Sequence, residues 1–427
     1  MNIIKTDSNF EREALLRPFG FKGGYMTESW QSIVMLEDDN GHRAVGLGTQ
    51  SVLWSDSSVF HRFSESGGNC FMYAMLEYGL SLVHSFESPI QLLEEIWRDV
   101  LDYGKKITGT VDLRETFALN ALVPLDNAVW LLYCQNRNIS DFEDMIPDTY
   151  RSALSFRHER LASIPLMAYS IPLDEIEQAV RDGYFFMKIK IGSPGDPKKM
   201  LEWDKARIEE IHKTIGHIST PYTKNGKLPY YFDANGRYPD KDTLQRLLDF
   251  TKKIGAFDQI ALVEEPFPED YECDVSDLGV RIAADESAHT DANALERIQM
   301  GYSAIALKAI AKTLSMTLKI ARIAHDHNIP CFCADLTVNP ILVEWNKNVA
   351  ARLKPLPELG IGLLETNGHQ NYSRWQKMKS YFPHAGASWT ETKGGVFELD
   401  DEYYRLSGGI FTPSLHYDQM FGFSKHE

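Results

Sequence analysis

Ile260-Ala261-Leu262-Val263-Glu264-Glu265-Pro266 is the stretch on which the fold turns. A short apolar run of this length reads as a buried strand, and it stops on two acids and a proline that cannot continue a hydrogen-bonded ladder. The same pattern recurs on either side. Upstream, residues 185–191 contain Lys188-Ile189-Lys190, and the run 230–233 leads into Asp233-Ala234-Asn235. Downstream, 281–284 leads into Asp285-Glu286-Ser287, and 304–307 into Lys308. Acids and lysines delivered in turn from successive strand ends suit a (β/α)8-type barrel, whose functional groups project from the C-terminal ends of different strands. Core packing does not explain five such segments in order.

Three further runs complete the rhythm, at 164–170, 331–334 and 360–364. Amphipathic stretches such as 173–181 and 314–325 lie between most of the strands. Eight strands alternating with helices predict an α/β barrel, with the doubly wound open sheet as its competitor. The first third reads differently. Residues 32–37 and 44–50 flank Asp39-Asn40-Gly41, a strong hairpin turn signal. Ser88 then reads as an N-cap, with Pro89 at the first helical position and Gln91 completing a capping box. The periodic run Leu92, Leu93, Ile96, Trp97, Val100, Leu101 gives that helix one buried face, and residues 125–135 predict a helix apolar nearly all round. The expected organisation is an α+β unit over 1–160, a barrel over 161–385, and a segment over 386–427 that packs back on the N-terminal unit to complete a capping domain. The stretch 214–229 reads as an insertion ahead of the third strand, on the non-catalytic face.

Bulk properties narrow the function. The 427 residues exceed a single core. Lys and Arg total 44 against 60 acids, a formal charge of −16 that disfavours nucleic acid and anionic membranes as partners. The five cysteines are scattered and odd in number, which suits a reducing compartment without disulfides. Cys331 and Cys333 share one strand face, and with no second pair to complete a zinc site they read as packing. The first residues lack an apolar leader, and no run approaches about 18 apolar residues, so a cytoplasmic location is expected. His325-Asp326-His327 reads as a solvated helix end. Gly46-Leu47-Gly48 lacks the third glycine and following helix of a dinucleotide fingerprint.

Residues i and i+2 of a strand point the same way, so Lys188 and Lys190 share a face, as do Asp233 and Asn235. Asp233, Glu264 and Asp285 fall on three neighbouring strands and are the expected ligands of one cation. Three carboxylates make a hard oxygen site suited to Mg²⁺ rather than zinc. Such an ion stabilises the second negative charge that develops when a proton leaves the carbon next to a carboxylate. The proton needs a base, and a lysine whose pKa burial lowers toward 7–8 serves. Lys190 and Lys308 fall on strands two and six of eight, nearly opposite. Glu265 and Glu286, beside the ligands, are expected on the other side of each strand. Arg17 to Met26, with three glycines, reads either as a mobile lid or as an ordinary turn.

In these motifs the sequence resembles the enolase superfamily, specifically its muconate-lactonizing and dipeptide-epimerase-like subgroup. The resemblance covers most of the chain. The hairpin near 33–48 and the segment Leu125-Asp126-Asn127-Ala128-Val129-Trp130 resemble the family's capping domain. Met187-Lys188-Ile189-Lys190 resembles its Lys-x-Lys strand, which makes Lys190 the base and Lys308 the opposing one. Asp233, Glu264 and Asp285 match the family's Mg²⁺ ligands, with Asn235 steadying them. The pairing of a lysine base with Mg²⁺ is a known property of that superfamily. The resemblance implies proton abstraction alpha to a carboxylate through an enediolate: racemisation or epimerisation of a small carboxylate, with cycloisomerisation or acid-sugar dehydration as alternatives, in a homo-oligomeric enzyme. Lys188, Asp335, Glu365 and Thr366 are the expected substrate contacts. Two departures bear on the substrate. Lys312-Thr313-Leu314-Ser315 stands where the family has Lys-Thr-Gly-Gly, and Glu365-Thr366-Asn367 replaces the Asp-x-Asp pair that holds the amine in dipeptide epimerases. The rival readings are a Schiff-base aldolase barrel with Lys308 as nucleophile, and a barrel kept as a non-catalytic binding protein.

Overall fold

A strand buried on both faces needs cover on both, and the apolar runs of the sequence find it in a closed sheet. The computed structural model describes residues 1–423. The N-terminal unit is an antiparallel sheet of β1 (Ile3–Phe21), β2 (Gly24–Asp38) and β3 (Arg43–Gln50), in that order. The Asn40-Gly41 turn joins β2 to β3, with the Asp38 carboxylate accepting from the backbone N–H groups of Asn40 and His42. β1 was not anticipated: much of its length is solvated, and Lys5-Thr6-Asp7-Ser8-Asn9 carries no apolar alternation.

Helices Ser57–Leu82 and Glu115–Arg137 pack on this sheet, and Pro89–Thr108 packs against both helices. Ser88 caps the second by accepting from the Gln91 N–H, while the Gln91 side chain turns to Glu95 instead of closing the box. Helix Glu115–Arg137 is longer than the sequence pattern indicated, and its length and hydropathy match a membrane span; it is buried within the protein. β3 presses against it, since a Cβ on Gly46 would stand 2.1 Å from the Pro124 carbonyl oxygen and one on Gly48 2.5 Å from the Pro124 ring. The paired glycines serve this close approach.

The second sheet is the barrel. β4 (Arg160–Ile164) runs through Pro165 into β5 (Leu166–Met167) as its first stave. The others are β6 (Met187–Lys190), β7 (Tyr230–Asp233), β8 (Ile260–Glu264), β9 (Ile282–Ala284), β10 (Ala304–Leu307), β11 (Cys331–Cys333) and β12 (Gly362–Glu365). All pair in parallel with their sequence neighbours, and β12 returns to β4 while β6 takes β5, which closes the ring. Helices follow most staves, but none forms between β8 and β9 among the described residues.

β13 (Val396–Glu398) pairs antiparallel with β4, so part of the C-terminal segment joins the barrel. The rest reaches the N-terminal unit, where His416 lies 3.0 Å from Glu11 and Ser407 accepts from the Phe142 N–H. The stretch 214–229 forms turns with isolated bridges from Ser219 to Lys227 and from Thr223 to Leu359. It precedes β7, at the end of the barrel away from Asp233.

Candidate active site

The C-terminal ends of the staves gather the charged residues, and the hairpin joining β1 to β2 covers them. Asp233 and Glu264 end β7 and β8 in matched register, and Lys190 ends β6 opposite Asp233. Lys188, one pleat deeper, carries its ammonium 2.8 Å from Asp233, 3.0 Å from Glu264 and 3.2 Å from Glu365. Lys190 donates to Asp233 at 2.5 Å and to the Asn235 side-chain oxygen at 2.6 Å. From the far side Lys308 donates to Asp285, as does the Trp54 indole at 3.2 Å. The Lys308 ammonium also lies 4.4 Å above the Trp54 ring. Lys190 and Lys308 stand four staves apart in a ring of eight.

Glu264, Asp285 and Glu286 offer oxygens that all lie within 4.8 Å of one another. One oxygen of each, Glu264 Oε2, Asp285 Oδ1 and Glu286 Oε2, is buried without a hydrogen bond. Buried carboxylate oxygens normally have partners, and three acids gathered this closely, each with an oxygen that accepts no hydrogen bond, suit a hard divalent cation; Asp285 Oδ1 also lies 3.5 Å from the Lys312 ammonium. The structure thus joins two of the three sequence-expected ligands to Glu286. Asp233 stays beside them, sharing Lys188 with Glu264. Glu286 does not point away as strand alternation suggested, because β9 has ended at Ala284 and the pleat no longer governs residue 286. Glu265 is buried behind the ligands; it sits at φ +41 and accepts from Asp285 N–H, Ser287 N–H and the Ser287 hydroxyl.

The electrostatics follow from burial against pairing. Burial pushes Asp233 up, but Lys188 and Lys190 outweigh it and hold the carboxyl at about 2. Burial also opposes ionisation of Asp285, which Lys308, Lys312 and Lys188 nonetheless pull below the usual range. Glu264 rises to about 7 through burial, which Lys188 only partly offsets, and Glu265 to about 8 through burial and the nearby Glu286. The expectation of a depressed lysine is not met at Lys308: burial lowers it, but Asp285 raises it further. Lys188 is driven well above its ordinary value, Asp233 and Glu264 overcoming burial. Lys312 falls, through burial.

Of the expected substrate contacts, Lys188, Asp335 and Glu365 line the central cavity and Thr366 does not. Residues alternate along β12 and beyond it, so Thr366 faces outward to share a hydrogen bond of 2.6 Å with Ser163. The Asp335 carboxylate accepts backbone N–H groups of Leu336, Val338 and Asn367. Burial, then the nearby Glu365, raises its pKa to about 7.

Several participants escaped the sequence reading. Trp54 lies in a segment without a motif. Lys312 follows Lys308 by one helical turn, a spacing that was visible, and its ammonium reaches the Asp285 carbonyl at 2.5 Å. Lys22, at the hairpin tip with φ +47, donates to the Trp54 carbonyl at 2.8 Å and pairs with Glu286 at 3.2 Å. The glycine-rich stretch 17–26 therefore covers the site as a strand-turn-strand tip held by an ion pair.

Residues 173–360 match the family described as Enolase C-terminal domain-like. This part of the chain is similar to an enolase C-terminal domain. No curated protein sequence matches the chain. Solved structures share the fold of the enolase-like barrel and its cap. A mandelate racemase/muconate lactonizing protein from Herpetosiphon aurantiacus has 16% identity and a TM-score of 0.65, with 94% of this chain and 96% of that one covered. A dipeptide epimerase from Enterococcus faecalis V583, complexed with Mg and L-Leu-L-Tyr, has 17% identity and a TM-score of 0.61, over 94% and 98%. An L-talarate dehydratase from Polaromonas sp. JS666, complexed with Mg and L-glucarate, has 16% identity and a TM-score of 0.59, over 85% and 86%.

Proposed function

We propose that the protein is a Mg²⁺-dependent enzyme that moves the proton alpha to a substrate carboxylate, with racemisation or epimerisation as its reaction. The observation that carries this reading is the pair of buried amines, Lys190 and Lys308, on opposing staves with orphaned carboxylate oxygens between them. Glu264 and Asp285, with Glu286 or Asp233, are the residues that would hold the ion. When bound, the ion supplies Lewis-acid stabilisation of the charge that grows on the substrate carboxylate as the carbanion becomes an enediolate.

The chain supplies the proton chemistry. Asp285 keeps Lys308 protonated and aimed, which makes it a donor to one face. Lys190 is held from two sides by Asp233 and Asn235, so its nitrogen is fixed at the opposite face, where proton removal begins the inversion that donation by Lys308 completes. Lys188 neutralises Asp233, Glu264 and Glu365 together, and so keeps the acids of three staves close. Phe19, Phe21 and Met26 of the hairpin tip exclude water from the amines.

Elimination starts from the same proton transfer and is the second reading, favoured by the dehydratase among the similar folds. The charge of −16 and the free cysteines support a small-molecule enzyme of a reducing, cytoplasmic compartment. The test is a panel of carboxylic acids in D2O with Mg²⁺, followed by proton NMR. The reading expects loss of the alpha-proton signal in at least one acid, with loss of a beta-substituent marking elimination. A borohydride-trapped adduct on Lys308 would instead establish the Schiff-base chemistry.

A further inference from the structure

We propose that the substrate is a carboxylate whose alpha-substituent is apolar and which carries neither a polyol chain nor a free ammonium. This rests on the proton-abstraction reading and adds the chemistry of the rest of the ligand. Beyond the amines, the acids and four uncharged polar side chains, the cavity wall is made by Phe19, Phe21, Met26, Trp54, Leu166 and Leu336. Four of these come from the N-terminal unit and two from the barrel, so apolar surface meets the ligand from both sides.

Named contacts hold the wall over the site. Lys22 ties the hairpin tip to Glu286 and to the Trp54 carbonyl, the Lys190 ammonium lies 5.5 Å over the Phe21 ring, and Trp54 is held by Asp285. The cavity left is about 30 Å³, room for about two waters. A substrate must therefore lift the tip, and Phe19, Phe21 and Met26 then close on its side chain.

The polar groups of the lining are already committed. Thr337 donates its hydroxyl to Asn367, the Asn367 amide donates to Glu365, and Asn235 is engaged by Lys190 and Glu286. Ser51 donates to the Met26 sulfur. A sugar acid would lose water from each hydroxyl and find few partners.

An ammonium fares no better. Both Asp335 oxygens accept backbone N–H groups. One Glu365 oxygen accepts from Lys188 and the Asp335 N–H, and the other accepts from Asn367. No carboxylate on that wall is spare for a cation, and Lys188 repels one.

The test compares N-acetyl-L-phenylalanine, D-galactonate and L-Ala-L-Phe by calorimetric titration of the Mg²⁺-loaded protein, with alpha-proton exchange in D2O measured alongside. N-acetyl-L-phenylalanine is expected to bind at least about tenfold more tightly than the other two. Phe21→Asn is expected to weaken its binding about tenfold, and Met26→Asn severalfold, without altering Mg²⁺ binding. Phe19→Asn provides a third substitution of the wall if either variant fails to fold. Tighter binding of galactonate or the dipeptide, or no binding by any probe, would overturn the inference. Binding of N-acetyl-L-phenylalanine without exchange upholds the substrate class and removes the proton-abstraction reading. Exchange confined to galactonate or the dipeptide does the reverse.

Discussion

Lysines and acids are buried together at two places among the described residues, and the two are built differently. On helix Pro340–Ala350, Lys347 pairs with Glu344 one turn away at 2.6 Å, donates to the Trp389 carbonyl, and sits 4.1 Å over the Phe397 ring. One helix makes the pair, so the backbone alone brings its members together. At the barrel mouth, Lys188, Lys190 and Lys308 meet Asp233, Glu264 and Asp285 from five staves, and none of these ion pairs joins residues of one stave. The helix pair leaves a single oxygen without a hydrogen bond, Glu344 Oε2, whereas the mouth leaves one on each of Glu264, Asp285 and Glu286, acids that can offer oxygens within 4.8 Å of one another. Burial of charge is common to both. Convergence of unsatisfied oxygens from separate strands is what marks the mouth as a site, because a local pair can arise as packing and a convergent one is costly to assemble without a ligand.

The sharpest way to break this contrast is to remove an amine from each group. Lys190→Ala and Lys308→Ala are each expected to lower alpha-proton exchange by about a thousandfold or more, each losing one stereoisomer first, as seen by NMR in D2O. Lys347→Met is expected to leave exchange per folded molecule within about twofold. Its cost is in stability instead, about 3–5 kcal/mol in urea unfolding, because Glu344 is left charged and buried. The double variant Lys347→Met, Glu344→Leu should recover most of that loss. Equal exchange in wild type and both mouth variants would remove the distinction.

Metal removal sharpens it further. Mg²⁺ at about 100 times its dissociation constant is expected to stabilise the protein by about 3 kcal/mol in thermal unfolding, reversed by EDTA. The double variant Glu264→Gln, Asp285→Asn should lose the response, whereas Glu344→Gln should keep it.

A buried acid with satisfied partners gives an effect confined to one pH window. Asp126 lies on helix Glu115–Arg137, accepts from the Ser315 N–H and hydroxyl, and is raised from 3.8 to about 6 by burial, which those bonds only partly offset. The folded chain therefore holds a proton that the unfolded chain releases between about pH 4 and 6. That contribution is complete below the unfolded value and lost as pH rises past the folded one, by about 3 kcal/mol at most. Asp126→Asn should flatten the stability profile over this window. A slope unchanged by the substitution would show that Asp126 is not the group responsible.

The same contrast explains how far the sequence could be read. Tyr230–Asp233, Ile260–Glu264 and Ala304–Leu307 were legible to the residue, since each is an apolar run stopped by a charge. Asp233, Glu264 and Lys308 followed from those stops, and Lys190 and Asp285 from the runs at 185–191 and 281–284. β1 was not legible, because much of it is solvated and a strand of that kind carries no hydrophobic period. Trp54 and Lys22 were invisible for another reason. They enter the site through packing of the N-terminal unit on the barrel mouth, and no local spacing encodes which hairpin tip lands on which carboxylate. Thr366 and Glu286 were misassigned by one rule applied too far or too little: alternation turns Thr366 outward beyond the end of β12, but it had ceased to govern Glu286 after β9.

The central claim is that the acids of the mouth converge on one divalent ion. Crystals soaked in Mn²⁺ and measured at its absorption edge test it directly. The account predicts a single strong anomalous peak coordinated by Glu264 and Asp285 together with Glu286 or Asp233. A protein saturated with Mn²⁺ whose peak touches fewer than two of these carboxylates would contradict it.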